Sequence, residues 1–438
     1  MKRTKCRSAI VSCLGVFLFG LLVTIGFFSV APESLLAKPC GDCEGGYIIP
    51  AKNLIAGNGW VDENSQLSTA RPPGHATILA GVLLAADKTG IPQKYMFQAF
   101  NIIIMASSAT ILFLLAGCFW DQKSSFVVST LWITSPFTLW FLNQPYSEIP
   151  FTLLYFLTIF ATIRVIRAED TSTGWWALIV GLLSGVAMMV RPFSIGVPLI
   201  ISLSFILMLK RASGVGAWRQ ITKRVAILIL GVALMTAPWS IFVHQQTGKW
   251  MFLTDGELTQ NSIVNGVTFA TRGEDYRKPI YLPSGARHLM ESIDNAVVLK
   301  RQESRPKAAK ITSTELLNLI AIEAAKEKLG AFQLVGMKIL RAWFGTDSHT
   351  YEVSAATLIV FYGLLILGGF IGALRQRLVS IPVAALLVGL TLYFWSLSVL
   401  FEPLVRYMVP HLGLLFVVIP GLWRPNSNKN QILGRASH

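Results

Sequence analysis

The sequence predicts an all-α polytopic membrane protein, and three observations predict it. Of 438 residues, 53% are hydrophobic and only 14% are charged, whereas an ordinary soluble domain carries about 25% charged residues. Mean hydropathy is positive, at +0.56. Apolar runs recur along the chain at lengths near the ~20 residues that a helix needs to cross a bilayer. Together these exclude a soluble enzyme, a secreted disulfide scaffold and a disordered regulator.

Runs near 9–31, 96–119, 125–142, 149–166, 174–190, 193–209, 225–243, 353–374, 379–400 and 408–423 give about ten transmembrane helices. A further apolar piece, 76–86, is too short to span and is expected to lie at the interface. Basic residues set the orientation. With the N-terminus inside, inner connections hold Lys2, Arg3, Lys5 and Arg7, then Arg164 and Arg167, then Lys210, Arg211, Arg219, Lys223 and Arg224. The short outer connections hold only Arg191 and Arg406. That asymmetry follows the positive-inside rule, so both termini are expected in the cytoplasm. The first run is longer than the apolar core of a cleaved signal and is expected to stay as an anchor.

The expected organisation has three parts. An N-terminal membrane module, 1–243, contains spans one to seven and a first external loop at 32–94. An external loop subdomain follows at 244–352. A C-terminal module, 353–438, holds the last three spans and a cytoplasmic tail. Within the external subdomain, Thr312-x-x-Glu315 has the spacing of a capping box that opens a helix running to about Leu329. The segment 331–344, with Trp343 and Phe344, is expected to skim the interface.

The chain carries 38 basic and 23 acidic residues, a net charge of +15. In a membrane protein, basic loops and contacts with anionic lipid headgroups account for this balance. Zinc-finger spacing and RNA-binding signatures are absent from the sequence, so no nucleic-acid partner is expected. Cys40 and Cys43 stand together as CGDC, which fits either a local disulfide or two free thiols. A structural zinc would need two further soft ligands, and none are nearby.

The candidate chemistry lies in the outer loops. Asp42 and Glu44 sit beyond span one, where a carboxylate at the water–lipid boundary can act as general base for an incoming hydroxyl. The plainer reading is that both are solvated loop charges. Arg71 precedes two prolines and Gly74, which stiffen the chain as it enters the short helix. An arginine there suits bidentate binding of a phosphate. Glu148 occupies the tight outer turn before span four, on the same side as Asp42. Acids at the edge of an apolar helix are often functional, but a carboxylate at a helix N-terminus is also favoured by the dipole. Arg191, His244, Lys249 and Arg406 face the same side. Arg191 reads equally as a headgroup anchor, and Arg406 as a structural partner of Glu402 one helical turn away.

In chain order these residues resemble the GT-C glycosyltransferases that use polyprenyl-phosphate sugars. The relatives are the protein O-mannosyltransferases, the aminoarabinose lipid A transferases and the RgtA/B/C/D-like enzymes. The resemblance rests on an acid after span one, then Tyr47, Ala51 and Gly57, then RPPG at Arg71 to Gly74. Ser147-Glu148 opens span four, GLxxGxAxxxRP runs from Gly181 to Pro192, Pro238-Trp239 ends span seven, and Arg406-Tyr407 through Pro410 gives RYxxP. It covers most of the chain and implies a GT-C-like bundle of about ten helices with interfacial helices and an external loop subdomain. It also implies transfer of a sugar from a polyprenyl-phosphate donor to a glycan, lipid or protein hydroxyl, with inversion, on the outer face of a plasma (inner) membrane.

On that resemblance, Asp42 or Glu44 is the base and Glu148 orients the acceptor or the base. Tyr47, Arg71, Arg191, Lys249, Arg406 and Tyr407 are candidates for binding phosphate or sugar. No cofactor is required, since arginine can neutralise a monophosphate leaving group, although Asp42-x-Glu44 is able to ligate a divalent cation. Two other classes compete: a transporter or flippase for a lipid-linked glycan, and a non-catalytic protein that has kept the fold. A transporter would be expected to place polar groups at mid-membrane and to show broken helices or paired repeats. Here the acids lie in outer loops.

Overall fold

A computed structural model of the 438-residue chain describes residues 2–33, 43–167, 173–208, 215–269, 282–304, 312–346, 349, 351–376 and 380–423. The helices in chain order are α1 (Lys2–Val30), α2 (Ile49–Ile55), α3 (Gly74–Thr89), α4 (Gln93–Ala116), α5 (Gln122–Ile133), α6 (Pro136–Leu139) and α7 (Glu148–Arg167). They continue with α8 (Thr173–Val190), α9 (Val197–Ile206), α10 (Val215–Thr247), α11 (Glu257–Thr268) and α12 (Ser284–Ser304). The last are α13 (Ser313–Lys326), α14 (Lys328–Arg341), α15 (Glu352–Arg375), α16 (Ile381–Leu400) and α17 (Val409–Phe416). The described residues contain one isolated β-bridge, Val61 to Leu67, between α2 and α3.

Each apolar run read from the sequence overlaps helix. Among the described residues, six helices are long and apolar enough to cross a membrane: the Ile10–Val30 part of α1, α4, α7, the Trp218–Thr247 part of α10, α15 and α16. The segments Gly174–Val190, Pro192–Ile206 and Val409–Leu422 are apolar but shorter, and the run near 125–142 is divided between α5 and α6. Pro136 and Pro192 sit at these breaks, where a missing N–H and a fixed φ interrupt helix geometry.

The chain forms two compact units. The first comprises 1–253, 362–390 and 410–438, and the second 254–361 and 391–409. In the first unit α8 lies along α10 and α7, and α1 along α4. A Cβ on Gly181 would stand 2.2 Å from the Leu228 carbonyl oxygen of α10, so only glycine lets these two backbones touch. Between α7 and α17, the Tyr155 hydroxyl and His411 Nδ1 meet at 2.8 Å, both fully buried.

The 76–86 piece belongs to α3, and His75, Ala76, Leu79, Ala80, Val82, Leu83 and Ala86 of this helix are buried. They share a core with Tyr47, Trp60, Met188, Trp239 and Leu253. The opposite face, with Thr77, Gly81 and Leu84, is exposed, so α3 buries one stripe and supports the loop that precedes it. That loop is fastened by Trp60 Nε1 donating to the Ser68 carbonyl at 2.8 Å, and by Asn53 Nδ2 donating to the carbonyls of Val61 and Asp62.

In the second unit the Thr312 capping box forms as the spacing predicts, opening α13. Its core packs α12 against α14 and α13. One fully buried guanidinium braces the unit: Arg341 donates to Glu352 Oε1 at 2.6 and 3.0 Å and to the Thr346 carbonyl at 3.1 Å. The same group lies 4.6 Å from the centre of the Phe269 ring.

Candidate active site

The residues singled out in the loop before α3 meet at the head of α7. The Arg71 guanidinium lies over the Tyr47 ring, 4.2 Å from its centre, a cation–π contact. Gly46 permits it, since a Cβ there would stand 2.7 Å from Arg71 Nε. The Tyr47 hydroxyl donates to Ser147 Oγ at 3.3 Å, and Ser147 Oγ donates to Glu148 Oε2 at 3.3 Å. The other carboxylate oxygen, Oε1, faces Arg191 Nη1 at 3.2 Å, with side-chain exposures of 6% for Glu148 and 8% for Arg191. Tyr47, Arg71, Ser147, Glu148 and Arg191 therefore form one linked set.

Local sequence explains the placement. Arg71-Pro-Pro-Gly turns the chain into α3, and a Cβ on Gly74 would lie 2.6 Å from the carbonyl of Met189. That close approach seats the turn against the last residues of α8, two residues before Arg191. Pro192 then stops the helix, and Arg191 leaves it with extended backbone (φ −146°, ψ 103°). Glu148 is the first residue of α7, where the helix dipole favours a carboxylate. The strand of chain ahead of it is clamped from α4: buried Asn101 donates to the carbonyls of Leu142 and Gln144 at 2.9 and 2.8 Å, and Gln98 donates to Asn143 Oδ1 at 2.8 Å.

His75 was not singled out in the sequence, and it proves central. It is fully buried, its Nε2 lies 2.8 Å from the Pro145 carbonyl, and its ring meets the Tyr47 ring edge-on at 4.5 Å. A carbonyl only accepts, so Nε2 carries the proton. Nδ1 has no hydrogen-bond partner among the described residues. Burial lowers the His75 pKa to about 4, reinforced by Arg71 and Arg191 and opposed by the Pro145 bond and Glu148. The ring is neutral at physiological pH.

The remaining predicted residues are placed as follows. Asp42 lies outside the described residues. Glu44 is exposed and pairs with Lys52 at 3.3 Å, a surface contact of small energy. Lys249 is exposed in the turn after α10, where Trp250 stacks on His244 at 4.1 Å. Arg406 and Tyr407 belong to the second unit. There the Tyr407 hydroxyl donates to Glu402 Oε2 at 2.9 Å, Arg406 sits 3.6 Å from the same carboxylate, and Asn265 donates to its other oxygen. Cys43 is disulfide-bonded, whereas Cys13 and Cys118 are free thiols. Among the described residues, no group of three or more His, Cys, Asp or Glu side chains is placed to hold a metal.

Residues 70–242, which include Arg71, His75, Glu148 and Arg191, match the family described as dolichyl-phosphate-mannose-protein mannosyltransferase. No curated protein matches the whole-chain sequence. Among solved structures the chain is similar to the archaeal oligosaccharyltransferase AglB from Archaeoglobus fulgidus in complex with an inhibitory peptide and a dolichol-phosphate. That likeness has 11% identity and a TM-score of 0.54, over 97% of this chain and 52% of the other. The chain thus spans about half the length of AglB. It is also similar to apo ArnT from Cupriavidus metallidurans, with 14% identity and a TM-score of 0.42, over 95% of this chain and 77% of that one. The protein is an integral membrane protein whose helical fold is shared with AglB.

Proposed function

We propose that the protein is a glycosyltransferase that moves a sugar from a polyprenyl-phosphate donor to an acceptor hydroxyl at the outer boundary of the plasma membrane. The observation that carries this reading is the linked set itself. Arg191 pairs with Glu148 at the head of α7, and Arg71 lies over Tyr47, which reaches the same carboxylate through Ser147. Cations there suit a lipid phosphate whose prenyl tail lies among the spans, and they stabilise the charge that develops as it leaves. The family match over 70–242 covers all of these residues except Tyr47.

The acceptor oxygen attacks the anomeric carbon as the bond from that carbon to the phosphate oxygen breaks. Polyprenyl phosphate departs, and the hydroxyl proton passes to a carboxylate of the first loop, Asp42 or Glu44. Direct displacement inverts the configuration. Glu148, held by Arg191 and Ser147, orients the acceptor or the base, and Arg71 with Arg191 holds the phosphate. A general base contributes about 10²–10⁴-fold in rate. No step calls on a metal.

The test uses purified protein in liposomes with a labelled polyprenyl-phosphate sugar and a panel of hydroxyl acceptors. Release of polyprenyl phosphate together with a labelled product is expected. Movement of intact lipid-linked sugar between leaflets without cleavage would establish a flippase instead. Neither event with any donor would leave a non-catalytic member of the fold.

A further inference from the structure

We infer that His75 is a positioning residue of this site: its Nε2–H on the Pro145 carbonyl and its ring edge on Tyr47 set where Glu148 stands. The inference rests on the transferase reading for its kinetic consequence, but not for its geometry. Pro145 lies three residues ahead of Glu148, and the Pro145 carbonyl is the point where α3 grips the chain that leads into α7. Tyr47, held edge-on by the same ring, reaches Ser147 through its hydroxyl, and Ser147 reaches Glu148. His75 therefore touches the Glu148 segment twice, once through backbone and once through the Tyr47–Ser147 chain.

A purely structural role fits poorly. A leucine would fill the same buried space without stranding a polar atom, whereas the histidine leaves Nδ1 unpartnered, which is costly in a sealed interior. What the histidine adds over a leucine is a donor aimed at Pro145 and a polarised edge against an aromatic face. The charges around the ring are the catalytic candidates themselves, Glu148, Arg71 and Arg191.

The experiment compares wild type with His75→Leu and His75→Gln, the glutamine amide being able to replace Nε2–H. In reconstituted protein, His75→Leu should lower kcat about tenfold or more, since small misplacements of reacting groups are costly. The donor KM should stay within about threefold, because both arginines remain. His75→Gln should recover most of the loss. Structures of both variants supply a readout free of activity: the 145–148 segment should shift in His75→Leu and hold in His75→Gln. Should the leucine variant fail to fold, His75→Asn, whose amide is too short to reach Pro145, replaces it. An unmoved segment with undiminished kcat, or equal damage from leucine and glutamine, overturns the inference. If wild type transfers no sugar, the transferase reading fails, and the two structures alone decide the positioning role.

Discussion

Glu148 Oε1 and Arg191 Nη1 stand 3.2 Å apart at the head of α7, with both side chains almost sealed from solvent. Removing one partner of such a pair strands a buried charge at a cost of about 3–5 kcal/mol. Arg191→Met should therefore lower the thermal midpoint sharply, while Glu148→Gln with Arg191→Met should restore much of it. Midpoints of the two single variants and the double variant in one detergent measure that coupling.

Arg71 lies over the Tyr47 ring, 4.2 Å from its centre. Arg71→Lys keeps the charge but loses the planar fork and the stacking. Donor KM should rise by about tenfold, equivalent to ~1.4 kcal/mol, with little change in the thermal midpoint. A KM equal to wild type would remove Arg71 from the phosphate site.

Gly74→Ala would place a methyl 2.6 Å from the Met189 carbonyl. The turn and the end of α8 would have to part, at about 1–3 kcal/mol. Because the same movement carries Arg191 away from Glu148, transfer activity should fall beyond what the lower stability explains. Melting curves and turnover of the same preparation separate the two effects.

His75 gives stability a defined pH dependence. Its folded pKa, about 4, lies below the ordinary value of 6.5. Between these values the unfolded chain binds the extra proton, so stability is complete above pH 6.5 and is lost as pH falls toward 4. The loss is on the order of 3 kcal/mol. Glu148, Arg71 and Arg191 are the charges acting on the ring. Thermal midpoints from pH 7 to pH 4 should fall less steeply in His75→Gln.

The outward face of α14 carries Leu329 and Phe332 at 69% and 78% exposure, with Val335, Ile339 and Leu340 also exposed. At its end, Trp395 of α16 donates Nε1–H to the Ile339 carbonyl at 2.9 Å, which ties α14 to a membrane-length helix. A nitroxide on Phe332→Cys should accordingly be more accessible to oxygen than to an aqueous nickel chelate, as at a bilayer interface.

The long spans were legible because twenty consecutive apolar residues have few soluble uses, and Glu148 and Arg191 were singled out because the expected orientation puts both on one side. Their mutual pairing was not, since they are 43 positions apart and each also had a plain reading alone. His75 was invisible for a different reason. Its partners are a backbone carbonyl and an aromatic face, neither of which leaves a spacing pattern. The 76–86 piece falls within α3, where the face holding Ala76, Leu79, Val82 and Leu83 joins the core around Tyr47 and Trp60, a contact that length alone does not predict.

Asn101 belongs to a membrane-length helix, yet its amide grips the chain that delivers Glu148. A lipid environment that is too thick or too thin makes such a helix lean. Any lean of α4 then reaches the carboxylate directly, without a flexible linker to absorb it. Turnover in vesicles of graded acyl length should trace that mechanical link, with an optimum where α4 stands as it does here.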